Sequence, residues 1–554
     1  MFKKNTTDNQ EEIFFSDSTS TVSFFSQADG TKEDFFYKLI YCNIDESLFK
    51  DLYANNFGRP NAPINAMVSA LILKETENWT INELFDELKC NILKRRCIGF
   101  FGVEELSFSR ATLYNFINKL NTHAMDTGIS LIDEVFFSLT QTQLKDIKVN
   151  TSICRTDSIM VNSNIKKYGR LELLLTIVQR LYRIFSPEDK EKFNVKFNKY
   201  NAYKANKYVY QLKGSDLSKE FPEICKMYYW IDFNLIKNYS EKQEYINFKR
   251  VLSEQFCFTK GKLTIKVSGK VGSSSLQSPD DVEATYRTKR GDNYHGFVAS
   301  VTETVSSKKI TPNLIVDIGV ASNNTDDSTL LENSIEAICE IVPDIEEIHY
   351  DGGYGSDTND EKLLEKGILG IQTAIRGRKC KVEIAIKKVG KTFEVTCQNN
   401  QKARVKKTKK RFKACFELNI CNSCPYLNDC PTKIAKNKRV LYFDTAYFNR
   451  KQRHLAIERI PKERRQLRNN VEATMHEFSH KMRNHKTKVR GLFKTRLFII
   501  TAAIGINFGR IYRYWVSLGK NTGILFSQNI LVIFWREEQY IHSALNLFMR
   551  QTAA

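Results

Sequence analysis

Residues 345–360 read IEEIHYDGGYGSDTND. Apolar Ile345 and Ile348 mark a short buried strand, which runs into Asp351, the pair Gly352-Gly353, Tyr354, Gly355 and a polar helix start. A carboxylate at the end of a strand, followed by glycines, sits where a sheet opens onto a ligand cleft. The glycines let backbone come close to whatever the carboxylate holds. Taken alone, the same pattern describes a plain strand-to-helix turn with a capping aspartate. The surrounding chain decides between the two.

Working outward, Phe297–Val305 and Leu314–Gly319 read as strands, Ser328–Ile341 as a helix, and Ile368–Ile375 as a further strand. Upstream, a strand over Lys148–Cys154 ends in Arg155-Thr156-Asp157-Ser158, a second carboxylate at a strand edge. Residues 166 to 260 are charged and of helical pattern, an insert rather than part of a sheet. The order strand, insert, strand, strand, helix, strand, helix, strand predicts a mixed α/β sheet.

The flanks differ from this core. From Ala62 to Leu120 the apolar spacing is helical, with a capping box at Thr80 and Glu83 and a cap at Ser109 opening Arg110–Leu120. Three short helices with a basic last member suit a helix-turn-helix-like DNA-binding module, and equally any small helical bundle. Arg110, with Tyr114 and Lys119, is a candidate DNA contact there. A helix from Pro461 to Asn484 places Val471, Met475, Phe478 and Met482 on one apolar stripe. Glu472 lies about 100° round from Val471, and Arg468 is one turn before it. Seven Lys and Arg follow between Lys481 and Arg496. Of these, Lys481 and Arg490 are expected to contact DNA.

Between core and last helix lies a basic segment with cysteines. Lys406, Lys407, Lys409, Lys410 and Arg411 make either a phosphate-contacting surface or a solvated loop. Cys415, Cys421, Cys424 and Cys430 follow in the pattern C-x5-C-x2-C-x5-C. That spacing suits thiolate coordination of Zn²⁺, tighter than an ordinary four-cysteine ribbon, or else a set of reduced cysteines in a loop or a redox-labile cluster.

At 554 residues the chain exceeds one core. A net charge of +21 points to a polyanionic partner, because neutralised phosphates release counterions on binding. The 13 cysteines are odd in number, and no secretory leader precedes them, so a reduced cytoplasmic setting is expected. The longest apolar stretches, Leu497–Phe508 and Ile530–Trp535, fall short of a bilayer span, and no membrane partner is expected.

Asp157, Asp351 and Glu472 thus stand at the mouth of one predicted α/β core. Acidic groups brought together repel unless cations lie between them, and hard divalent ions, Mg²⁺ or Mn²⁺, suit oxygen ligands. A pair of such ions serves phosphodiester displacement. Each acid alone reads as an ordinary surface or capping residue.

The ordered set resembles the bacterial insertion-sequence transposases with an RNase H-like DDE catalytic core. Asn61–Leu120 looks like their helical N-terminal domain, Arg155-Thr-Asp157-Ser like their first catalytic motif, and His349-Tyr-Asp351-Gly-Gly-Tyr-Gly-Ser356 like their second. Arg468-Asn-Asn-Val-Glu472, with Arg490-Gly-Leu and Asn507-Phe-Gly-Arg510, looks like the third. Cys421-x2-Cys-Pro is similar to a cysteine segment found before that third motif in some members. The chain departs from the pattern at Arg465, where a tyrosine is usual, and at Ser479, where a lysine is usual.

The resemblance implies an RNase H-like mixed sheet with a helical insert, and Asp157, Asp351 and Glu472 as catalytic metal ligands. It further implies Arg468 beside Glu472 or a phosphate, DNA (element ends and target) as partner, and a homodimer that pairs two ends near the nucleoid. The expected layout is an arm at 1–30, a helical DNA-binding domain at 31–140, and the core at 141–165 and 261–375. A helical insert occupies 166–260 and a cysteine-bearing insert 376–440. The catalytic helix region spans 441–515 and a packed tail 516–554. The expected activity is DNA transposition by hydrolysis at element ends and strand transfer. A non-catalytic DNA-binding protein and a nuclease without strand transfer are the alternatives.

Overall fold

The computed structural model describes residues 1–5, 30–54, 58–100, 106–235, 239–306, 311–374, 381–390 and 392–522. Most of the expected N-terminal arm, the apolar Ile530–Trp535 and nearly all of the expected tail lie outside these residues.

Six helices come first: α1 (Lys32–Leu39), α2 (Ile64–Thr76), α3 (Ile81–Cys90), α4 (Ile92–Arg96), α5 (Arg110–Thr127) and α6 (Leu131–Ile147). The sequence caps act as expected. Thr80 Oγ1 accepts from the Glu83 backbone while the Glu83 carboxylate accepts from the Thr80 backbone, and Ser109 caps α5. Helix α2 is buried on almost every face, so it is a core helix and not a surface one.

Strand β1 (Ile153–Asn162) starts five residues later than predicted and runs on through Asp157, because its partner β5 (Asp292–Thr304) pairs with it along its full length after the first residue. The aspartate expected at a strand edge is therefore mid-strand, opposite Val301. Beyond β5 lie β4 (Thr285–Lys289) and β6 (Ile315–Ser322), both antiparallel to it. On the other side of β1 come β7 (Glu347–Tyr350) and β8 (Leu369–Gln372), both parallel. Helix α12 (Asp327–Ile341) joins β6 to β7, and α13 (Asp357–Glu365) joins β7 to β8. The order β6-β5-β1-β7-β8, three antiparallel strands followed by two parallel ones, is the expected RNase H-like mixed sheet.

Between β1 and β4, helices α7 (Arg170–Ile184), α8 (Pro187–Phe197), α9 (Ala205–Gln211), α10 (Gly214–Asn234) and α11 (Gln243–Gln255) surround a core of their own, closed by the hairpin β2 (Phe256–Thr259) and β3 (Lys262–Ile265). The N-terminal helices have no such independence. Phe35 and Phe36 pack edge-on against Tyr512 and Phe508 of the last helix, α18 (Leu492–Thr522), in one continuous core with the sheet. Among the described residues α18 is the one helix long and apolar enough to cross a bilayer, contrary to the length read from sequence. Most of it is buried against α2, α6 and β6.

The basic cysteine segment is not a loop. It folds as a second antiparallel sheet, β13-β14-β12-β11-β10-β9, over β9 (Ile384–Val389), β10 (Thr392–Cys397), β11 (Lys402–Lys407), β12 (Phe412–Glu417), β13 (Lys433–Ala435) and β14 (Lys438–Phe443). Helix α14 (Leu418–Asn422) follows β12. Beyond this sheet, α15 (Thr445–Arg459), α16 (Lys462–Gln466) and α17 (Val471–His480) lead back to the core. The single helix predicted over Pro461–Asn484 is broken at 467–470.

A candidate active site at the ends of strands β1 and β7

Parallel pairing sets the site's geometry. Arg155 of β1 stands beside His349 of β7, so two residues further along each chain bring Asp157 level with Asp351. β7 ends at Tyr350, which leaves the flank of Asp157 open where Asp351 begins its turn. The turn holds its own carboxylate, since the Gly353 N–H donates to Asp351 Oδ1 at 2.7 Å. Asp157 Oδ1 accepts the Ser158 N–H at 2.8 Å. Burial pushes the Asp157 carboxyl above its usual value, with Arg468 opposing and Asp351 adding to the rise.

Arg468 lies in the break between α16 and α17. Its Nη2 donates to Asp157 Oδ2 at 2.6 Å and stands 3.9 Å from Asp351 Oδ2. The broken helix frees it to reach the sheet. Three tethers hold the break there. Arg464 pairs with Glu347 of β7, Arg155 Nη1 donates to the Leu467 carbonyl at 2.7 Å, and buried Glu303 ties the start of α17 down. Glu303 takes the Arg155 guanidinium at 2.6 and 2.7 Å, Thr474 Oγ1 at 2.6 Å and Arg510 Nη1 at 2.8 Å. A buried carboxylate facing two guanidiniums and a hydroxyl is paired and hydrogen-bonded, as such burial requires.

Glu472 is not gathered with the two aspartates. Val471, Thr474 and Phe478 face inward from α17, and Glu472, about 200° from Thr474 on the helical wheel, is exposed. Among the described residues no three His, Cys, Asp or Glu side chains are grouped closely enough to hold a metal. The sequence reading missed a nearer acid, Asp327, the first residue of α12. Ser158 Oγ donates to its Oδ1 at 3.1 Å, and a Cβ built at Gly353 would lie 2.8 Å from Asp327 Oδ2 and 3.0 Å from Asp351 Oδ1. The absence of a side chain at residue 353 is therefore a packing requirement set by two carboxylates. The available signal was an acid opening the helix that follows β6.

The donor set of Asp157 and Asp351 is all oxygen, with a guanidinium as its counter-charge, and this fits a hard divalent cation.

The expected DNA contacts fall in three places. Lys406 and Lys407 are exposed on β11, and Lys409, Lys410 and Arg411 fill the exposed turn to β12, with Arg411 over the Tyr442 ring. Arg490 is exposed and donates to the Asn164 carbonyl at 2.7 Å, on the rim of a cleft of about 1040 Å³ lined by Lys166, Lys167, Arg483, Lys486 and Lys488. Lys481 also lines that cleft, but its ammonium is turned onto the Thr76 carbonyl at 2.6 Å, and burial pushes its pKa down. Arg110 is engaged by Asp86 at 2.6 Å. Of the cysteines, Cys421, Cys424 and Cys430 line one small cavity, and Cys415 is not among its lining residues.

Residues 26–119 match the transposase domain family DUF772, and residues 389–512 match the transposase DDE domain family. No curated relative matches the chain. A cryo-EM structure of the piggyBac transposase synaptic complex with hairpin DNA aligns at 9% identity over 94% of this chain and 86% of that one, with a TM-score of 0.32. The two family matches lie on either side of the strand-borne aspartates and agree with the resemblance to insertion-sequence DDE transposases carried by the motifs.

Proposed function

We propose that this chain carries out DNA transposition, cutting phosphodiesters at the ends of its element and joining the freed ends to target DNA. The observation that supports this reading is the level pairing of Asp157 and Asp351 at the open flank of β1, with Arg468 between them. Asp157 and Asp351 would hold Mg²⁺ or Mn²⁺, with Glu472 as the third carboxylate implied by the resemblance. Such an ion, when bound, supplies a polarised phosphoryl group and an activated water or 3′-hydroxyl.

The chain's own residues do the rest. Ser158 and Gly353 N–H groups fix the orientation of the two carboxylates. Arg468 balances their charge and lies ready to meet a phosphate. The Lys166–Lys488 cleft and the exposed face of β11 hold DNA backbone through charge, independent of base sequence. Pairing of two element ends calls for two copies of the chain.

The outward position of Glu472 favours a second reading, DNA binding without catalysis. The test is cleavage of DNA bearing the element's own ends with Mg²⁺, wild type against Asp351→Asn, alongside a binding assay. Cleavage lost in the variant with binding retained supports catalysis at this pair. Equal cleavage by both proteins sinks the assignment, and binding without cleavage by either leaves the second reading.

A further inference from the structure

We propose that the second sheet carries a structural zinc site whose four ligands are Cys397, Cys421, Cys424 and Cys430, with Cys415 excluded. The β-strand pleat makes the exchange of ligands. Along β10, Phe393 and Val395 point into the small core, so Cys397, two residues on, shares their face. Along β12 it is Ala414 and Phe416 that point inward, which turns Cys415 to the opposite face. Sequence spacing groups Cys415 with the other three; the fold substitutes Cys397.

Cys397, Cys421, Cys424 and Cys430 all line one cavity of about 20 Å³. That is room for about one water-sized body. The loop below it repeats every three residues: the Cys424 N–H bonds the Cys421 carbonyl, Leu427 bonds Cys424, and Cys430 bonds Leu427. This repeat turns residues 421, 424, 427 and 430 inward.

A second observation points to a ligand. From Leu418 to Pro431 no residue is fully buried, and Ile420 and Tyr426 are exposed. A loop whose inward apolar side chain is a half-buried Leu427, packed beside a core of only eight buried residues, gains from a further staple. As placed, the thiols take polar substitutes and do not meet one another: Cys421 donates to Gln401 Oε1 at 3.5 Å, and Cys430 lies 3.1 Å from Thr432 Oγ1. Metal binding requires each sulfur to turn from these partners into the shared cavity. Binding would exchange the four thiol protons, released to solvent, for one Zn²⁺. The resulting net negative charge faces Arg439, which lines the same cavity and is fixed to Thr432 by bonds of 2.9 and 2.8 Å.

The test uses the purified full chain. Metal analysis after dialysis against metal-free buffer should find one zinc per chain, kept by Cys415→Ser and lost by Cys397→Ser. Because Cys397→Ser could unfold the sheet, wild-type protein is also alkylated before and after chelation, and modified peptides are mapped by mass spectrometry. Chelation should expose residues 397, 421, 424 and 430 together and leave the reactivity of Cys415 unchanged. Wild type without zinc, or zinc protecting Cys415 in place of Cys397, overturns the proposal.

Discussion

Arg468 Nη2 lies 2.6 Å from Asp157 Oδ2, in a pocket where both side chains are about 15% exposed. The guanidinium thus lies between the two carboxylates, at the position proposed for the divalent ion. It should compete with that ion in the free protein. Arg468→Ala is expected to tighten Mn²⁺ binding in the absence of DNA by roughly tenfold, about 1.4 kcal/mol, while lowering stability without metal. Calorimetric titration checks it. Unchanged or weaker Mn²⁺ binding would mean that the ion sits elsewhere.

Asp327 and Gly353 frame the same pair. A methyl group at residue 353 would press on Asp327 Oδ2 and Asp351 Oδ1, so Gly353→Ala should displace the carboxylates with little effect on the fold. Displacements approaching 1 Å cost up to about a hundredfold in rate. DNA cleavage should therefore fall tenfold or more with the melting temperature nearly unchanged. Asp327→Asn and Glu472→Gln, assayed side by side, then tell which acid completes the site. A variant that cleaves at the wild-type rate removes its residue from candidacy.

Glu303 is the buried tie between β1, α17 and α18. Glu303→Ala leaves Arg155 and Arg510 facing one another without their carboxylate. Breaking a buried pair from one side costs about 3–5 kcal/mol. Denaturant unfolding should show a loss of that order, and Glu303→Gln a smaller one. A change within about 0.5 kcal/mol for the alanine variant, the range of ordinary surface changes, would show that the network is not strained by its removal.

The strand order and the Asp351 turn were legible because short apolar runs followed by glycine carry local information. Asp157 was expected at a strand edge and lies mid-strand, since the length of β1 is set by its partner β5, far off in sequence. Arg468 was assigned to Glu472 by helical spacing, and the break at 467–470 answers to tethers on Glu347 and Leu467 that no periodicity reports. Asp327 was hidden for the same reason: its meaning lies in Gly353, twenty-six positions later. The cysteines repeat the lesson, for pleat alternation puts Cys397 on the core face and Cys415 on the other, and a spacing rule ignores it.

Asp317, on β6, gives a pH dependence independent of the site. Burial raises its carboxyl from 3.8 to about 6, with Ser334 and Arg496 opposing and Asp133 adding to the rise. Arg496 is itself held by Asp133 at 2.7 Å, and Asp317 Oδ2 has no hydrogen-bond partner among the described residues. The folded chain therefore keeps a proton that the unfolded chain gives up sooner. The stability tied to this proton is fully present below pH 3.8 and is lost as pH rises through about 6, after which the cost is constant. The interval corresponds to roughly 3 kcal/mol as an upper figure. Asp317→Asn removes the titration while keeping the shape. The variant should gain stability over wild type when both are compared at pH 7.5, and the gain should shrink at pH 5. Thermal melts of the two proteins across that range decide it: a difference that does not change with pH would show that Asp317 is already ionised in the fold.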